Sequence, residues 1–370
     1  MLPATLSEED VRRVDRSRMA DLIASWPAQV RTQREALARK GWPGDLTLPR
    51  ILAVGGMGGS AIASDLVFAL AAHRLPFPAI TVRDYRWPAS VGADALVLLS
   101  SYSGNTEETL SLYAEAGARG IRRLALATGG ELARLCEADG VPCVSLPAGL
   151  PPRAALGYSV VSLSILLEAL GDPGEGEPAW DESLALLEEE CRALAPDRPE
   201  SENPAKALAR SLAGRAVCVY GAAGFPAVAA RRWKGQVNEN AKTPAFHEAV
   251  PEMNHNEIVG FEALADLHPR FAAVFLRDAE ESPRVARRVV ATRELLEAEG
   301  VVTHEVSSRG RSRLARLLSL VVFGDWVSLY LGVLAGVDPT PIAKIGRLKA
   351  ALSEPAGAAR GRPDGGTIPR

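Results

Sequence analysis

The chain is short of cysteine and histidine, and each shortage excludes something. Four cysteines, at 136, 143, 191 and 218, form no C-x-x-C pair and no metal-ligand spacing. They are expected to be reduced, buried thiols rather than disulfides or zinc ligands, which points to the cytoplasm. Five scattered histidines, at 73, 247, 255, 268 and 304, offer no cluster for a metal. A basic excess is missing as well: 42 Lys+Arg against 45 Asp+Glu give a net charge of −3. That balance argues against a nucleic-acid partner, whose phosphates demand neutralisation, and favours a small ligand. No run approaches the roughly 18 uninterrupted apolar residues of a membrane span. The opening Met1-Leu2-Pro3-Ala4-Thr5 turns acidic at Glu8-Glu9-Asp10, where an export signal carries basic and then apolar residues. Neither export nor a membrane partner is expected.

The length of 370 residues exceeds one ordinary hydrophobic core, so two domains are expected. Residues 1–44 hold a single helical pattern over about 10–40, with Val11, Val14, Met19, Leu22, Ile23 and Trp26 at three- and four-residue spacing. Apolar strands and helices then alternate. Strands are predicted at 51–54, 79–82, 95–100, 123–127 and 142–146, with helices at 60–71, 106–118 and 131–138 between them. Continuous apolar strands of this kind are covered on both faces, the signature of a doubly wound parallel sheet. The first such α/β domain covers 45–170. A Gly/Pro/acid-rich linker opens the stretch 171–202, which also holds a charged helix at about 179–194. A second α/β series fills 203–335, with strands at 216–220, 271–276 and 301–306 and helices at 226–242, 283–299 and about 311–335. A last helix lies within 336–353, and the Gly- and Pro-containing tail 354–370 is expected to be disordered.

Three segments carry the chemistry. Val54-Gly55-Gly56-Met57-Gly58-Gly59-Ser60 joins a strand to a helix, letting backbone approach an anion at the helix N-terminus. The alternative is a tight turn that binds nothing. Val219-Tyr220-Gly221-Ala222-Ala223-Gly224-Phe225 looks like a diverged second copy; Phe225 replaces Ser60, so phosphate chemistry is expected only in the first half. The second segment, Ser100-Ser101-Tyr102-Ser103-Gly104-Asn105-Thr106-Glu107, follows an apolar strand and opens a helix. The hydroxyls of Ser101, Ser103 and Thr106 around Gly104 can surround a phosphate without a cationic side chain. Ordinary N-capping accounts for one hydroxyl, not three. The third segment, Trp233-Lys234-Gly235-Gln236-Val237-Asn238-Glu239-Asn240, sets one acid among amides on a helix.

S-x-S-G-x-T at a strand end resembles the phosphosugar-binding signature of sugar-isomerase (SIS) domains. With the later segments, residues 45–352 resemble the bifunctional phosphoglucose/phosphomannose isomerase family. The resemblance implies two SIS-type, flavodoxin-like parallel-sheet domains with flanking helices. It implies an aldose–ketose isomerase that interconverts glucose 6-phosphate, and mannose 6-phosphate, with fructose 6-phosphate through a cis-enediol. Such chemistry requires no metal and no cofactor. Glu239 is then the base moving a proton between C1 and C2. His255, in the polar loop Pro251-Glu252-Met253-Asn254-His255-Asn256-Glu257, is the ring-opening residue, supplied across the interface of a homodimer. Arg153 stabilises the enediolate, and a Lys of the final helix reaches the sugar: Lys349, with Lys344 in competition. Gly59, Ser60, Ser101, Ser103, Thr106 and Thr340 are the expected substrate contacts. The competing reading is a non-catalytic or weakly active SIS phosphosugar-binding regulator. A sensor has no use for Glu239 and His255, and the roughly 48 residues before the first strand are too few for a typical helix-turn-helix domain.

Overall fold

In the computed structural model, which describes residues 6–353, two parallel sheets stand side by side. The tail expected to be disordered lies outside the described residues. The first sheet holds β1 (Leu52–Gly56), β2 (Ala79–Val82), β3 (Leu96–Ser100), β4 (Arg122–Ala127) and β5 (Cys143–Ser145). Its order is β2-β1-β3-β4-β5, with every pairing parallel, the flavodoxin-like arrangement. β1 and β3 are buried along their whole length, which is why they read as unbroken apolar runs.

The N-terminal region departs from the single helix expected. It is α1 (Glu8–Val14), α2 (Met19–Ala24) and α3 (Trp26–Lys40). The Asp15 carboxylate causes one break, accepting from the backbone N–H groups of Met19 at 2.7 Å and Ala20 at 2.8 Å. Pro27 at the start of α3 causes the other. Within the first domain follow α4 (Gly58–Ala71), α5 (Glu107–Ala118), α6 (Gly130–Asp139) and α7 (Leu156–Ala169), and then α8 (Gly176–Ala193). Of the segment read as an exposed linker, Asp172 is buried and receives a two-pronged bond from Arg74 at 2.8 and 3.1 Å.

The second domain contains α9 (Pro204–Leu212), β6 (Ala216–Ala222), α10 (Phe225–Asn240), β7 (Ala245–Val250), β8 (Phe271–Arg277), α11 (Pro283–Ala298), β9 (Val302–Ser307), α12 (Arg313–Leu334) and α13 (Ala343–Ser353). Its sheet order, β7-β6-β8-β9, repeats that of the first four strands of the first sheet. The sequence reading missed α9 and β7. As an edge strand β7 pairs only with β6, so Phe246 stays exposed and the Ala-Phe-His-Glu-Ala-Val stretch lacks the apolar run of a central strand. α12 is long and apolar enough to cross a membrane, yet 94% of its most apolar window is buried inside the protein. It is the core helix against which α8, α9 and α10 pack.

Candidate active site

β1 and β3 lie side by side, while the chain continues from β1 to one side of the sheet and from β3 to the other. Diverging connections open a crevice at the carboxyl edge of the strands, the usual ligand position in such sheets. Both loops at this edge carry the residues singled out from sequence. The buried Ser60 hydroxyl oxygen accepts from the Tyr102 backbone N–H at 3.1 Å, joining one loop to the other. The hydroxyls of Ser101 and Thr106 lie 2.9 Å apart, and Ser103 Oγ accepts from the Asn105 N–H at 3.2 Å. Thr106 stands at the N-cap of α5, but no side chain caps that helix, nor α4 beside it. Plain capping therefore does not explain these hydroxyls; the Ser60 N–H turns back to the Met57 carbonyl, and the N–H groups of Gly58 and Gly59 and of the first turn of α5 are left to water or an anion. Gly104 has φ +70°, and a Cβ there would stand 1.9 Å from the Gly129 carbonyl oxygen. In the second domain the matching turn is filled by protein: Phe225 is buried and a Cβ on Gly221 would lie 2.2 Å from the Pro226 oxygen.

A buried arginine connects this crevice to the second domain. A Cβ on Gly59 would meet the Pro152 carbonyl oxygen at 2.8 Å, so the glycine lets the first loop press against the 3-10 turn Pro152–Ala154. From that turn Arg153, 4% exposed, donates Nε to Asn240 Oδ1 at 2.8 Å and Nη2 to the carbonyls of Pro339 at 2.9 Å and Thr340 at 2.8 Å. Its Nη1 reaches Glu239 Oε2 at 3.4 Å. Burial pushes the guanidinium's pKa down from its ordinary value, with the Glu239 carboxylate opposing. Glu239 ends α10 with its side chain one-third exposed, so its carboxylate is both paired and open to a ligand. The Thr340 hydroxyl oxygen is buried without a hydrogen-bond partner among the described residues, a free polar atom in the same cluster.

The structure thus brings together Gly59, Arg153, Glu239 and Thr340 beside the Ser60, Ser101, Ser103 and Thr106 loops. It does not bring His255 there. His255 is exposed and follows β7 at the carboxyl edge of the second sheet, whereas Glu239 precedes β7 at the amino edge. The six residues of that strand separate them by roughly 17–20 Å. Lys349 and Lys344 also lie on the surface, on α13. The His268 ring nitrogens lie 3.0 Å from the Glu299 carbonyl oxygen and 2.9 Å from that of Ala263, and His304 pairs with Ser211.

Sequence reasoning missed the residues behind the site. Asp325, on the apolar α12, accepts from Trp26 Nε1 at 3.1 Å, from Arg232 Nη2 at 3.0 Å and from Gln236 Nε2 at 2.7 Å. Arg232 Nη2 also donates to the Arg153 carbonyl at 2.7 Å. From α3, Gln29 Nε2 donates to the Ala154 carbonyl at 2.7 Å and its Oε1 accepts the Gly157 N–H at 3.1 Å. The signal was present: a lone aspartate within an otherwise apolar helix must be buried with donors. A cavity of about 540 Å³ lies elsewhere, under residues 257–271, lined by Cys218, Phe246, Phe261 and Leu264 among others. It holds none of these residues. A convergence of buried, paired polar groups, rather than cavity size, marks the candidate site.

Comparison with known proteins accords with this geometry. Residues 201–352 match the family model described as the bacterial phospho-glucose isomerase C-terminal SIS domain. A bifunctional phosphoglucose/phosphomannose isomerase of Caldicellulosiruptor bescii is 43% identical over 81% of this chain and 88% of its own length. One from Aquifex aeolicus is 38% identical over 84% and 92%. In fold, the chain is similar to the crystal structure of a glucose-6-phosphate isomerase like protein from Thermus thermophilus, with a TM-score of 0.61 at 23% identity over 94% of this chain and 99% of that one. The two repeated sheets, the serine-rich loops and these relatives place the chain in the bifunctional phosphoglucose/phosphomannose isomerase family.

Proposed function

We propose that the protein interconverts glucose 6-phosphate, and mannose 6-phosphate, with fructose 6-phosphate. The observation that carries this is the Arg153 junction, which ties the hydroxyl-lined loops of one domain to the lone acid Glu239 of the other. The phosphate anchors on Ser101, Ser103, Thr106 and the Gly59-Ser60 turn, and that remote binding positions C1 and C2 against Glu239. Glu239 takes the C2 proton, the electron pair forms the enediolate, and the same carboxyl returns the proton to C1. Arg153 steadies the oxyanion charge through its Nη1 edge, the edge that makes the longest of its contacts. Both aldoses give one enediol, because C2 loses its stereochemistry there.

His255 opens the sugar ring from a second copy of the chain, in keeping with its distance from Glu239 within one copy. Phe246, Val259, Leu264 and Leu267, 48–72% exposed, surround the His255 segment with apolar surface for such a homodimer. On α13, Ile345, Leu348 and Leu352 are also exposed; at 100° per residue they fall within about 60° of one another, and Lys344 and Lys349 flank that apolar face on opposite sides. A helix docking by that face carries a flanking lysine toward the site; the resemblance to the family makes Lys349 the sugar contact, with Lys344 in competition, and Thr340 a second contact.

The test is a coupled assay on each aldose 6-phosphate, with a chelator present and Glu239→Gln alongside. Turnover of both sugars by the wild type and none by the variant is expected. A wild type that turns over neither sugar, while fructose 6-phosphate still raises its Tm, is instead a phosphosugar-binding protein.

A further inference from the structure

Lys242 occupies a position that helices usually give to glycine. Ala241 caps α10, and Lys242, one place beyond, has φ +54°. Left-handed backbone just past a helix end suits glycine because a Cβ crowds the backbone there. Among the described residues only Arg18 and Leu264 share this condition with Lys242 outside glycine. A side chain kept under such strain calls for a reason, and its contacts supply one. Lys242 Nζ donates to the Glu239 carbonyl at 2.6 Å and to the Pro339 carbonyl at 2.8 Å.

The first acceptor is one of the last carbonyls of α10, which no helical N–H can reach, and it belongs to the residue bearing the candidate base. The second belongs to the turn that carries Thr340, and it also receives Arg153 Nη2 at 2.9 Å. The ammonium group therefore ties the end of α10 directly to the 339–340 turn, with Arg153 between them. Burial, and after it the positive charge of Arg153, lowers the Lys242 pKa; Asp338 and Glu239 oppose the shift. The turn does not depend on Lys242 to stay in place. Ser17 Oγ donates to Asp338 at 3.1 Å, the Thr340 N–H donates to Asp338 at 3.1 Å, and Arg153 holds both carbonyls.

We propose that Lys242 is a positioning residue for the isomerase reaction: its ammonium group sets the end of α10, and with it Glu239, in register with Thr340. This rests on the isomerase reading above. The phosphate contacts lie on the other domain, so loss of Lys242 misplaces the base relative to C1 and C2 without releasing the anchor.

Lys242→Gly separates this role from a structural one, because glycine relieves the backbone strain while removing the ammonium. The variant is expected to keep or raise the wild-type Tm, to lose about 10- to 100-fold in kcat and to hold KM within about threefold. Lys242→Arg, which can still donate to both carbonyls, is expected to recover part of kcat. Lys242→Gly with wild-type kcat overturns the proposal. So does a fall in kcat that tracks a fall in Tm across Lys242→Gly, Lys242→Ala and Lys242→Arg, since that is a structural role. A wild type inactive on both sugars overturns the isomerase reading itself, before Lys242 is at issue.

Discussion

Replacing Gly104 by alanine tests the phosphate loop by a route that needs no assumption about catalysis. An alanine Cβ would lie 1.9 Å from the Gly129 carbonyl oxygen, where 3.0 Å is the shortest approach that real Cβ atoms make, so the 128–130 turn must retreat by about 1.1 Å. Four bonds hold that turn to the loop: Thr128 N–H and Thr128 Oγ1 to the Tyr102 carbonyl at 3.0 and 2.7 Å, Leu132 N–H to the Gly104 carbonyl at 2.9 Å, and Glu131 N–H to Asn105 Oδ1 at 2.9 Å. Lengthened by such a shift they cease to be hydrogen bonds, at about 1 kcal/mol each. A non-glycine residue at φ +70° adds about 1–2 kcal/mol, for a total of about 5–6 kcal/mol. Gly140→Ala is the control: its φ is +66° but no atom lies within 4 Å of the added Cβ, so about 1–2 kcal/mol is expected. Urea unfolding with the midpoint read at constant m compares the two, and the KM of Gly104→Ala for glucose 6-phosphate is expected to rise about tenfold or more. Equal losses of stability for the two variants would refute the close approach of the loops.

Arg153→Ala strips the Asn240 side-chain oxygen and the Thr340 carbonyl of their arginine donor, whereas Pro339 keeps Lys242 and the part-exposed Glu239 regains water. A loss of about 2–5 kcal/mol follows, read by urea unfolding, and a loss under 1 kcal/mol would mean that the junction is not a structural link. Glu239→Gln and His255→Ala homodimers, each inactive alone, are expected to regain about a quarter of wild-type activity after subunits are mixed and exchanged, because half the dimers then carry one intact site of two. No recovery would place His255 outside the partner's site. Burial raises the Glu190 pKa from 4.5 to about 7, so the unfolded chain gives up this proton first and stability falls as pH rises between those values. Glu190→Gln is therefore expected to be more stable than wild type by about 1–3 kcal/mol at pH 8 and unchanged near pH 4.5; an equal gain at both pH values would point to packing instead.

What the sequence made legible divides by the kind of signal. β1, β3, β6 and β8 stand in sheet interiors, so their burial on both faces imposed apolar runs that no other element explains. Ser101, Ser103 and Thr106 drew attention as candidates because three hydroxyls around a glycine exceed what one helix cap can use. β7 was hidden because an edge strand with one neighbour tolerates His247 and Glu248 within it. The first break in the N-terminal helix turns on a single carboxylate, Asp15, whose reach to two backbone N–H groups leaves no periodic trace. Arg153 and Glu239 stand 86 residues apart in sequence, and no local pattern announces their contact; the amides around Glu239 set it apart, whereas Arg153 drew attention through the resemblance to the isomerase family.

The two halves share a strand order yet use opposite ends of it. The first sheet presents its carboxyl edge, where α4 and α5 begin. The second lends the far end of α10, at its amino edge, because Phe225 fills the turn where a second anion would sit. In the proposed isomerase the phosphate anchor and the base therefore belong to different domains, and their spacing is set by whatever fixes one domain against the other. Asp325 does so from within the core: it gathers Trp26 from α3 and Arg232 and Gln236 from α10, and Arg232 passes on to the Arg153 carbonyl. A buried carboxylate with donors from both sides resists sliding in a way that apolar packing alone does not, because each displaced donor leaves a buried polar group unpaired. That accounts for an aspartate in the middle of a long apolar helix: in the proposed isomerase it fixes the distance between the phosphate anchor and the base, which neither domain could set alone.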